Sequence, residues 1–176
     1  RDIRAAYPRS EIVLLTTPPY QKLMTRCPHV DRLLIDRRAP LWKLHENLRL
    51  ARTLRREGFD FVFDLQKSGR TERYRRWVLP GLPWCGRQPG PKPRSMIEGF
   101  APQLAAAGLS PRHSQAPDVS WMADDVSRLL LEQGVTGPYI VLVPGCSARH
   151  AYRRWPHYAQ LAQRLIEAGH TVVTAP

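Results

Sequence analysis

The sequence predicts an α/β fold in which helices cover a parallel β-sheet. Short runs of β-branched residues alternate with longer segments whose apolar residues recur at helical spacing, and this alternation is typical of βαβ units. The clearest example begins at residue 139, where YIVLV is followed by a basic loop, an amphipathic segment and a second β-branched run. Two strands joined in this way pair in parallel, because the helical segment forms the crossover between them.

Residues 1–136 are predicted to form a Rossmann-like domain that lacks its first strand. The tail of a helix before Pro8 comes first. The predicted elements that follow are strand 11–16, helix 20–26, strand 32–35, a long helix that ends at Gly58, strand 59–65, helix 70–79, helix 95–108 and a helix from Val126 to about Gln133. One face of the long helix carries Leu41, Leu44, Leu48, Ala51 and Leu54. Residues 80–94 hold five prolines and three glycines and are predicted to be irregular.

Residues 137–176 are predicted to be the opening βαβ unit of a second Rossmann-like domain. Pro156 suits the first turn of its helix, and Gly169 suits the helix end. The loop 145–154 follows the carboxyl end of a strand and precedes a helix N-terminus, where open α/β sheets bind anionic ligands. The chain begins inside an element and ends where a strand should lead into a ligand-binding turn. We therefore expect it to be an internal part of a longer protein.

The composition indicates a polyanionic partner. The formal charge is +12 and the pI is near 10.5, which suits nucleic acid, anionic lipid or a phosphorylated substrate. With neither an apolar leader nor a membrane-spanning run in the sequence, we expect a cytoplasmic protein, with peripheral contact to an anionic membrane as an open option. The three cysteines and six histidines show no disulfide or metal-ligand spacing, so no metal and no cofactor is predicted.

Motifs spread over nearly the whole chain resemble one enzyme family. They are CPHVD at 27–31, FDFVFDLQ at 59–66, PWCG at 83–86, PGCS at 144–147 and RRWP at 153–156. In order and spacing they are similar to the bacterial ADP-heptose:lipopolysaccharide heptosyltransferases, glycosyltransferase family 9, whose fold is GT-B. The resemblance implies a fragment of a glycosyltransferase that moves heptose from an ADP-activated sugar to a phosphorylated lipopolysaccharide core. Residues 1–136 would then be the acceptor side and residues 137–176 the start of the donor-binding domain.

The same resemblance implies donor-binding residues in the loop before the last helix. In the family a pair of hydroxyl groups and a lysine contact the donor phosphates. Here these positions hold Cys146, Ser147 and Arg153, so a thiol replaces one hydroxyl and an arginine replaces the lysine. The alternative is that the arginines of this loop form only a solvated surface. Trp155 is expected to pack under the loop.

The acceptor side is predicted to lie directly after strand 59–65. The candidate residues are Gln66, Lys67, Ser68, Arg70 and Arg73. Their cations suit an acceptor that bears carboxylates and phosphates. Alternatively, Arg73 and Arg76 form the solvated face of a helix whose buried side is Tyr74 and Trp77.

No catalytic base is assigned within the chain. The family's base is an aspartate in a Gly-Asp turn after the first strand, which is expected upstream of Arg1. Asp64 lies at a strand end, but we expect it to hold the turn and not to transfer a proton.

A basic, non-enzymatic nucleic-acid-binding module is the alternative function. Charge and arginine density favour it. No RNP, helix-turn-helix or zinc pattern occurs, however, and the aromatic residues fall in apolar faces and not among the arginine runs. We therefore expect no specific nucleic-acid partner.

Overall fold

The computed structural model describes residues 1–66, 68–86, 95 and 97–175. Within them, short helices and strands alternate as the sequence predicts. The strands are β1 (Val13–Thr16), β2 (Arg32–Ile35), β3 (Val62–Phe63), β4 (Trp84–Cys85), β5 (Tyr139–Leu142) and β6 (Thr171–Thr174). The α-helices are α1 (Asp2–Ala6), α2 (Pro18–Met24), α3 (Leu44–Arg56), α4 (Gly69–Arg73), α5 (Phe100–Ala106), α6 (Ser127–Glu132) and α7 (Tyr158–Glu167). The α/β class is confirmed.

The strands pair in parallel, two by two. β1 pairs with β2, β3 with β4, and β5 with β6. The register sets Thr16 beside Ile35 at the carboxyl ends of the first pair and Phe63 beside Cys85 in the second. Parallel pairing is thus confirmed, but the described strands form three separate two-stranded sheets and not one continuous sheet. Residues that follow two paired parallel strands emerge at the same edge, so each pair collects its loops at one end.

The chain divides into two compact units, Arg1–Ala123 and Asp124–Pro176. Helix α6 belongs to the second unit, although it precedes residue 137, where the sequence places the start of the second domain. That boundary and the Rossmann-like character of each part stay predictions. The first unit carries β1 to β4 with α1 to α5, and the second carries β5 and β6 with α6 and α7.

Several elements differ from their predicted bounds. Strand β4 lies inside the segment that its prolines and glycines marked as irregular, and that prediction is wrong for Trp84–Cys85, because pairing with β3 keeps these two residues extended. Residues 87–94 of that segment lie outside the described residues. The predicted helix 70–79 is α4 followed by a π-helical turn over Tyr74–Val78. Helix α7 begins at Tyr158, so Pro156 lies before it, and α3 begins at Leu44 after a turn.

Buried polar side chains hold the first unit together at its strand ends. The amide of Gln103 in α5 is fully buried and donates through Nε2 to the carbonyl oxygens of Asp64, at 2.8 Å, and Cys85, at 3.1 Å. The Cys85 thiol donates in return to the Gln103 carbonyl oxygen at 3.1 Å. These bonds join α5 to the carboxyl ends of β3 and β4. They thereby fix the point from which the predicted acceptor segment starts.

Candidate functional site

The segment after β3 is held by its own side chains. The buried carboxylate of Asp64 accepts a hydrogen bond from the Gln66 backbone N–H at 3.1 Å, and Asp64 therefore holds the turn. Ser68 is the N-cap of α4, because its Oγ accepts from the Thr71 N–H at 3.2 Å while Thr71 Oγ1 accepts from the Ser68 N–H at 3.0 Å. This reciprocal cap sets the direction of the helix that carries the two predicted arginines. Gln66 is exposed, and Lys67 lies outside the described residues.

Arg70 is committed to a buried network at the carboxyl end of β2. Its Nε and Nη2 donate to the two carboxylate oxygens of Asp36, each at 2.8 Å. Nε also donates to the Tyr74 hydroxyl at 2.6 Å, and that hydroxyl donates to Asp36 at 2.7 Å. Nη1 reaches the Ala39 carbonyl oxygen at 3.1 Å. A two-point guanidinium–carboxylate pair of this kind fixes orientation as well as distance, so α4 is tied to the end of β2.

Arg70 and Tyr74 do not change their protonation states near neutral pH. Burial by itself would lower the pKa of the Arg70 guanidinium, but the hydrogen bonds to Asp36 and Tyr74 outweigh it and raise that pKa. Burial, reinforced by the hydrogen bond to Asp36, raises the pKa of Tyr74 to about 12. Tyr74 therefore remains a hydroxyl that donates to Asp36, and Arg70 remains a cation whose charge Asp36 balances.

Asp36 also shapes the loop that follows β2. Its Oδ1 accepts the backbone N–H of Arg38 at 2.7 Å, and Arg38 adopts a left-handed conformation with φ of 52°. A non-glycine residue costs about 1–2 kcal/mol in this region, which the hydrogen bond helps to offset. No sequence motif marks Asp36 or the arginines beside it. The available signal was position, because Asp36 directly follows a predicted strand, as Gln66 and the loop after β5 do.

A cavity of about 490 Å³, lined by both polar and apolar residues, opens beside this network. Side chains from the end of β2 and from the first turns of α3 line it, among them Arg37, His45, Asn47 and Arg49, together with Asp36 and Arg70. Asp36 and Arg70 balance each other, and the other carboxylate on the wall, Glu46, pairs with Lys43 at 2.9 Å. The further cations on the wall are Arg37 and Arg49. The cavity thus offers hydrogen-bond donors and positive charge at a strand end, which suits an anionic ligand.

Arg73, the remaining candidate in this unit, is exposed at the last position of α4. Two positions further on, in the π-helical turn, Arg75 is paired with Glu72 at 2.8 Å. Of the predicted buried side, Tyr74 is half-buried, whereas Trp77 is exposed. Arg55 of α3 donates to the backbone carbonyl oxygens of Trp77 and Val78, so the π-helical turn is held through its main chain. The alternative interpretation is therefore wrong in placing Trp77 on the buried side of the helix.

The second unit carries the predicted donor loop between β5 and α7. Ser147 Oγ lies 2.9 Å from His150 Nδ1, and the Cys146 thiol donates to the His150 carbonyl oxygen at 3.2 Å. A 3₁₀-helical turn, Ala148–Arg153, follows directly. The structure thus brings Cys146 and Ser147 together around His150 at the carboxyl end of β5.

Arg153 lies at the far end of this turn. Its guanidinium is exposed and rests over the Tyr152 ring, 5.6 Å from the ring centre. Trp155 is 48% exposed and meets the rings of His157 and Tyr158 edge-on at 5.5 Å, so it packs beside the helix start and is not covered by the loop. An exposed cation here leaves its donors available to a ligand.

The described part of the chain carries neither a metal-binding cluster nor a membrane-spanning helix. Within residues 1–66, 68–86, 95 and 97–175, no cluster of three or more His, Cys, Asp or Glu residues has the geometry to hold a metal ion. In that part of the chain, no helix is both long enough and apolar enough to cross a bilayer. The three cysteines are free thiols.

Comparison with known proteins identifies the fold. No protein-family model and no curated protein sequence matches the chain. Among solved structures, the chain superposes on the ADP-heptose lipopolysaccharide heptosyltransferase II of E. coli with a TM-score of 0.63 and 21% identity. The alignment covers 99% of this chain and 57% of that one. The chain has a glycosyltransferase fold.

A second solved structure agrees. The glycosyl transferase family 9 protein of Veillonella parvula superposes with a TM-score of 0.72 and 17% identity, over 98% of this chain and 56% of its own. The resemblance found in the sequence motifs is therefore confirmed at the level of the fold, and the nucleic-acid-binding alternative is not favoured. The chain spans little more than half the length of each of these relatives, at 57% and 56%.

Proposed function

We propose that the chain is part of an inverting GT-B heptosyltransferase that uses an ADP-activated heptose and a phosphorylated lipopolysaccharide core acceptor. The observation that carries this proposal is the match to a heptosyltransferase fold along 99% of the chain. Residues 1–136 would form the acceptor side and residues 137–176 the start of the donor side. The cationic side chains at the strand ends of both units support the division, because donor and acceptor are both anionic.

On the donor side, Cys146, Ser147 and Arg153 are proposed to hold the diphosphate. Ser147 and Cys146 lie where β5 ends, and the exposed guanidinium of Arg153 lies at the far end of the adjoining turn. The ten-residue helix α7 follows, and its N-terminal N–H groups favour negative charge. The hydrogen bond to His150 restricts the orientation of the Ser147 hydroxyl.

On the acceptor side, the proposed residues differ in role. Arg73 and Gln66 are exposed and would contact the acceptor directly, as would Lys67. Arg70 and Ser68 are bound up in the ion pair and the helix cap, so we assign them positioning roles. They hold α4 in place and act on the acceptor through it.

The cavity beside Asp36 is proposed as a further part of the acceptor-binding site. Arg37 and Arg49 line it from the loop after β2 and from α3. We propose that it receives a phosphate or carboxylate of the acceptor. Arg70 links the two elements that carry these cations, because it pairs with Asp36 after β2 and also donates to Asn47 Oδ1 of α3 at 3.4 Å. Arg70 would therefore also set the spacing of this wall.

The reaction requires charge stabilisation at one end and proton removal at the other. The acceptor hydroxyl oxygen attacks the anomeric carbon, the bond from that carbon to the diphosphate oxygen breaks, and its electron pair leaves with ADP. The hydroxyl proton passes to a general base. We propose that residues such as Arg153 stabilise the leaving diphosphate and that the base is the aspartate expected upstream of Arg1. Because that aspartate is not among these 176 residues, the chain alone should not transfer sugar.

A binding titration separates this function from nucleic-acid binding. The chain is titrated with ADP-heptose, with UDP-glucose and with duplex DNA over a series of salt concentrations. We expect saturable ADP-heptose binding that is stronger than UDP-glucose binding and falls less steeply with salt than DNA binding does. It should be reduced in Arg153→Ala and unchanged in the control Arg128→Ala, which removes an exposed arginine from α6. DNA affinity should fall steeply with salt, because counterion release drives such binding. Sequence-selective DNA binding that persists at high salt, without ADP-heptose binding, would support the alternative.

A further inference from the structure

The outer side of α3 and the turn before it carry an apolar stripe that the described chain leaves uncovered. The sequence groups Leu41, Leu44 and Leu48 with Leu54 on one helical face, and such faces normally enter a core. Leu54 is buried, but Leu41 is 62%, Leu44 66% and Leu48 52% exposed. Trp42, in the turn, is 80% exposed. Four large apolar side chains close together in sequence at a surface indicate a contact with something outside the described residues.

Cations surround this stripe. Arg52 is exposed and continues the line of Leu44 and Leu48 at i, i+4 spacing. Arg49, the residue after Leu48, is also exposed and lines the cavity beside Asp36. Arg37 and Arg38 are exposed in the loop that leads toward the turn. The apolar stripe and these four arginines are hereafter the α3 surface.

The carboxylates near the α3 surface already have partners. Glu46 pairs with Lys43 at 2.9 Å and lies 3.8 Å from His45. Asp36 is buried and pairs with Arg70. The four arginines therefore give the surface a positive excess, in a chain whose formal charge is +12.

The apolar stripe and its surrounding arginines favour one binding partner over another. A second copy of the chain would bring the same arginines against these arginines, which opposes association. A bilayer containing anionic lipids offers phosphates to the arginines and an apolar region to the leucines. Tryptophan is enriched at the membrane interface, where one side of the ring is apolar and the other is wet. Charge complementarity and residue type both favour the bilayer.

We propose that the α3 surface docks the protein on an anionic phospholipid bilayer. Trp42, Leu41 and Leu44 enter the interfacial region, and the arginines contact lipid phosphates. The proposal rests on the proposed function in one respect: a lipid-linked acceptor would be located in the bilayer that the α3 surface contacts. The contact itself needs neither donor nor acceptor.

Vesicle co-sedimentation tests the proposal with lipids that contain no lipopolysaccharide. The chain is mixed with vesicles of phosphatidylglycerol and phosphatidylcholine, or of phosphatidylcholine alone. We expect binding to the anionic vesicles that weakens as salt rises, since each arginine near the surface strengthens binding about fivefold. Trp42→Ser and Leu44→Ser/Leu48→Ser should each lower the partition coefficient about tenfold or more.

Matched variants show whether the α3 surface is the contact. Leu131→Ser removes a leucine that is 60% exposed on α6, and Arg128→Gln removes an exposed arginine from the same helix. Both should bind vesicles like the unmodified protein, whereas Arg49→Gln/Arg52→Gln should bind about twentyfold or more weakly. Circular dichroism verifies that each variant is folded.

Fluorescence locates the tryptophan. Brominated phosphatidylcholine in the anionic vesicles should quench part of the tryptophan emission, and Trp42→Phe should lose that part. Equal vesicle binding by the α3 variants and the α6 variants, or quenching that survives in Trp42→Phe, overturns the proposal. Because no sugar is transferred in these assays, failure here leaves the transferase proposal standing, and failure of ADP-heptose binding leaves this one standing.

Discussion

The guanidinium of Arg70 and the carboxylate of Asp36 form a two-point ion pair in which both N–O distances are 2.8 Å. The two residues are 34 positions apart, and their side chains are only 18% and 8% exposed. The pair therefore joins the end of β2 to α4 inside the first unit. Tyr74 completes it by accepting from Arg70 and donating to Asp36.

Removing one member of this pair should cost much more stability than removing a nearby surface arginine. We expect Arg70→Ala to lower the free energy of unfolding by about 3–5 kcal/mol, because it leaves the Asp36 carboxylate buried without its counter-ion. Arg73→Ala should change it by less than about 0.5 kcal/mol. Arg70→Lys should recover little, since an ammonium group does not present two parallel donors. Urea unfolding measures all three, and similar values for Arg70→Ala and Arg73→Ala would contradict the positioning role.

Arg73 should affect the acceptor and not the donor. In a preparation that transfers heptose, we expect Arg73→Ala to raise the KM for acceptor about tenfold or more, the effect of one lost charge-assisted hydrogen bond, with the KM for donor unchanged. Arg75→Ala is the control, because Arg75 is also exposed, in the π-helical turn that follows, but pairs with Glu72. Steady-state kinetics with each substrate varied in turn provide the measurement. Equal rises in both KM values would indicate damage to the fold.

Local sequence signals predicted the strands well where the strands are intrinsically favourable. β2 has the predicted bounds, and β1, β5 and β6 lie within the predicted β-branched runs, because these runs suit a paired and half-buried backbone. β4 could not be predicted in this way. Its two residues lie between prolines and glycines and are extended because β3 and Gln103 bind their main chain.

The candidate site shows the same limit. The sequence pointed to strand ends and to the basic residues that follow them, and those residues do lie there. It did not distinguish an arginine that faces solvent from one that forms an ion pair inside the protein. Arg70 and Arg73 are three positions apart, yet only Arg70 meets Asp36, and that meeting depends on a packing arrangement between distant elements. The exposure of Leu44 and Leu48 could not be predicted from the sequence either, because it also depends on how distant elements pack.

The carboxylate of Asp2 should make stability depend on pH in the acid range. It is buried and accepts backbone N–H groups from Arg112 at 2.9 Å and His113 at 3.0 Å. Burial would raise the pKa of Asp2, but these two hydrogen bonds outweigh it, and the pKa lies below its ordinary value of 3.8. A lowered folded-state pKa means that the contribution to stability is complete above that ordinary value and is lost as pH falls below it.

The variant Asp2→Asn isolates this contribution. Near neutral pH it should be less stable than the unmodified chain by about 1–2 kcal/mol, since neutral hydrogen bonds replace charged ones. The difference should shrink as pH falls below 3.8, when the native carboxylate becomes protonated. Asp60→Asn, at an exposed position, serves as the control. Chemical unfolding at several pH values measures the difference, and one that stays constant down to strongly acid pH would contradict the assignment.

Arg153 should determine how well the donor is held and how readily its diphosphate leaves. Its guanidinium is exposed over the Tyr152 ring at the end of the turn that begins beside Ser147. One charge-assisted contact contributes about 1.5–3 kcal/mol, so Arg153→Ala should weaken ADP-heptose binding by about tenfold to a hundredfold. In a preparation that transfers heptose it should also lower kcat, because negative charge on the diphosphate grows as the bond to the sugar breaks.

Two further substitutions distinguish a phosphate contact from a solvated loop. Arg153→Lys should retain most of the binding, since an ammonium group at this position still faces the diphosphate. Tyr152→Ala removes the ring that supports Arg153 and should weaken binding less than Arg153→Ala does. Calorimetric titration with ADP-heptose and unfolding measurements on the same samples separate binding from stability. If Arg153→Ala binds donor normally and changes only the free energy of unfolding, by about 0.5 kcal/mol or less, the arginine belongs to a solvated loop and the diphosphate is held elsewhere.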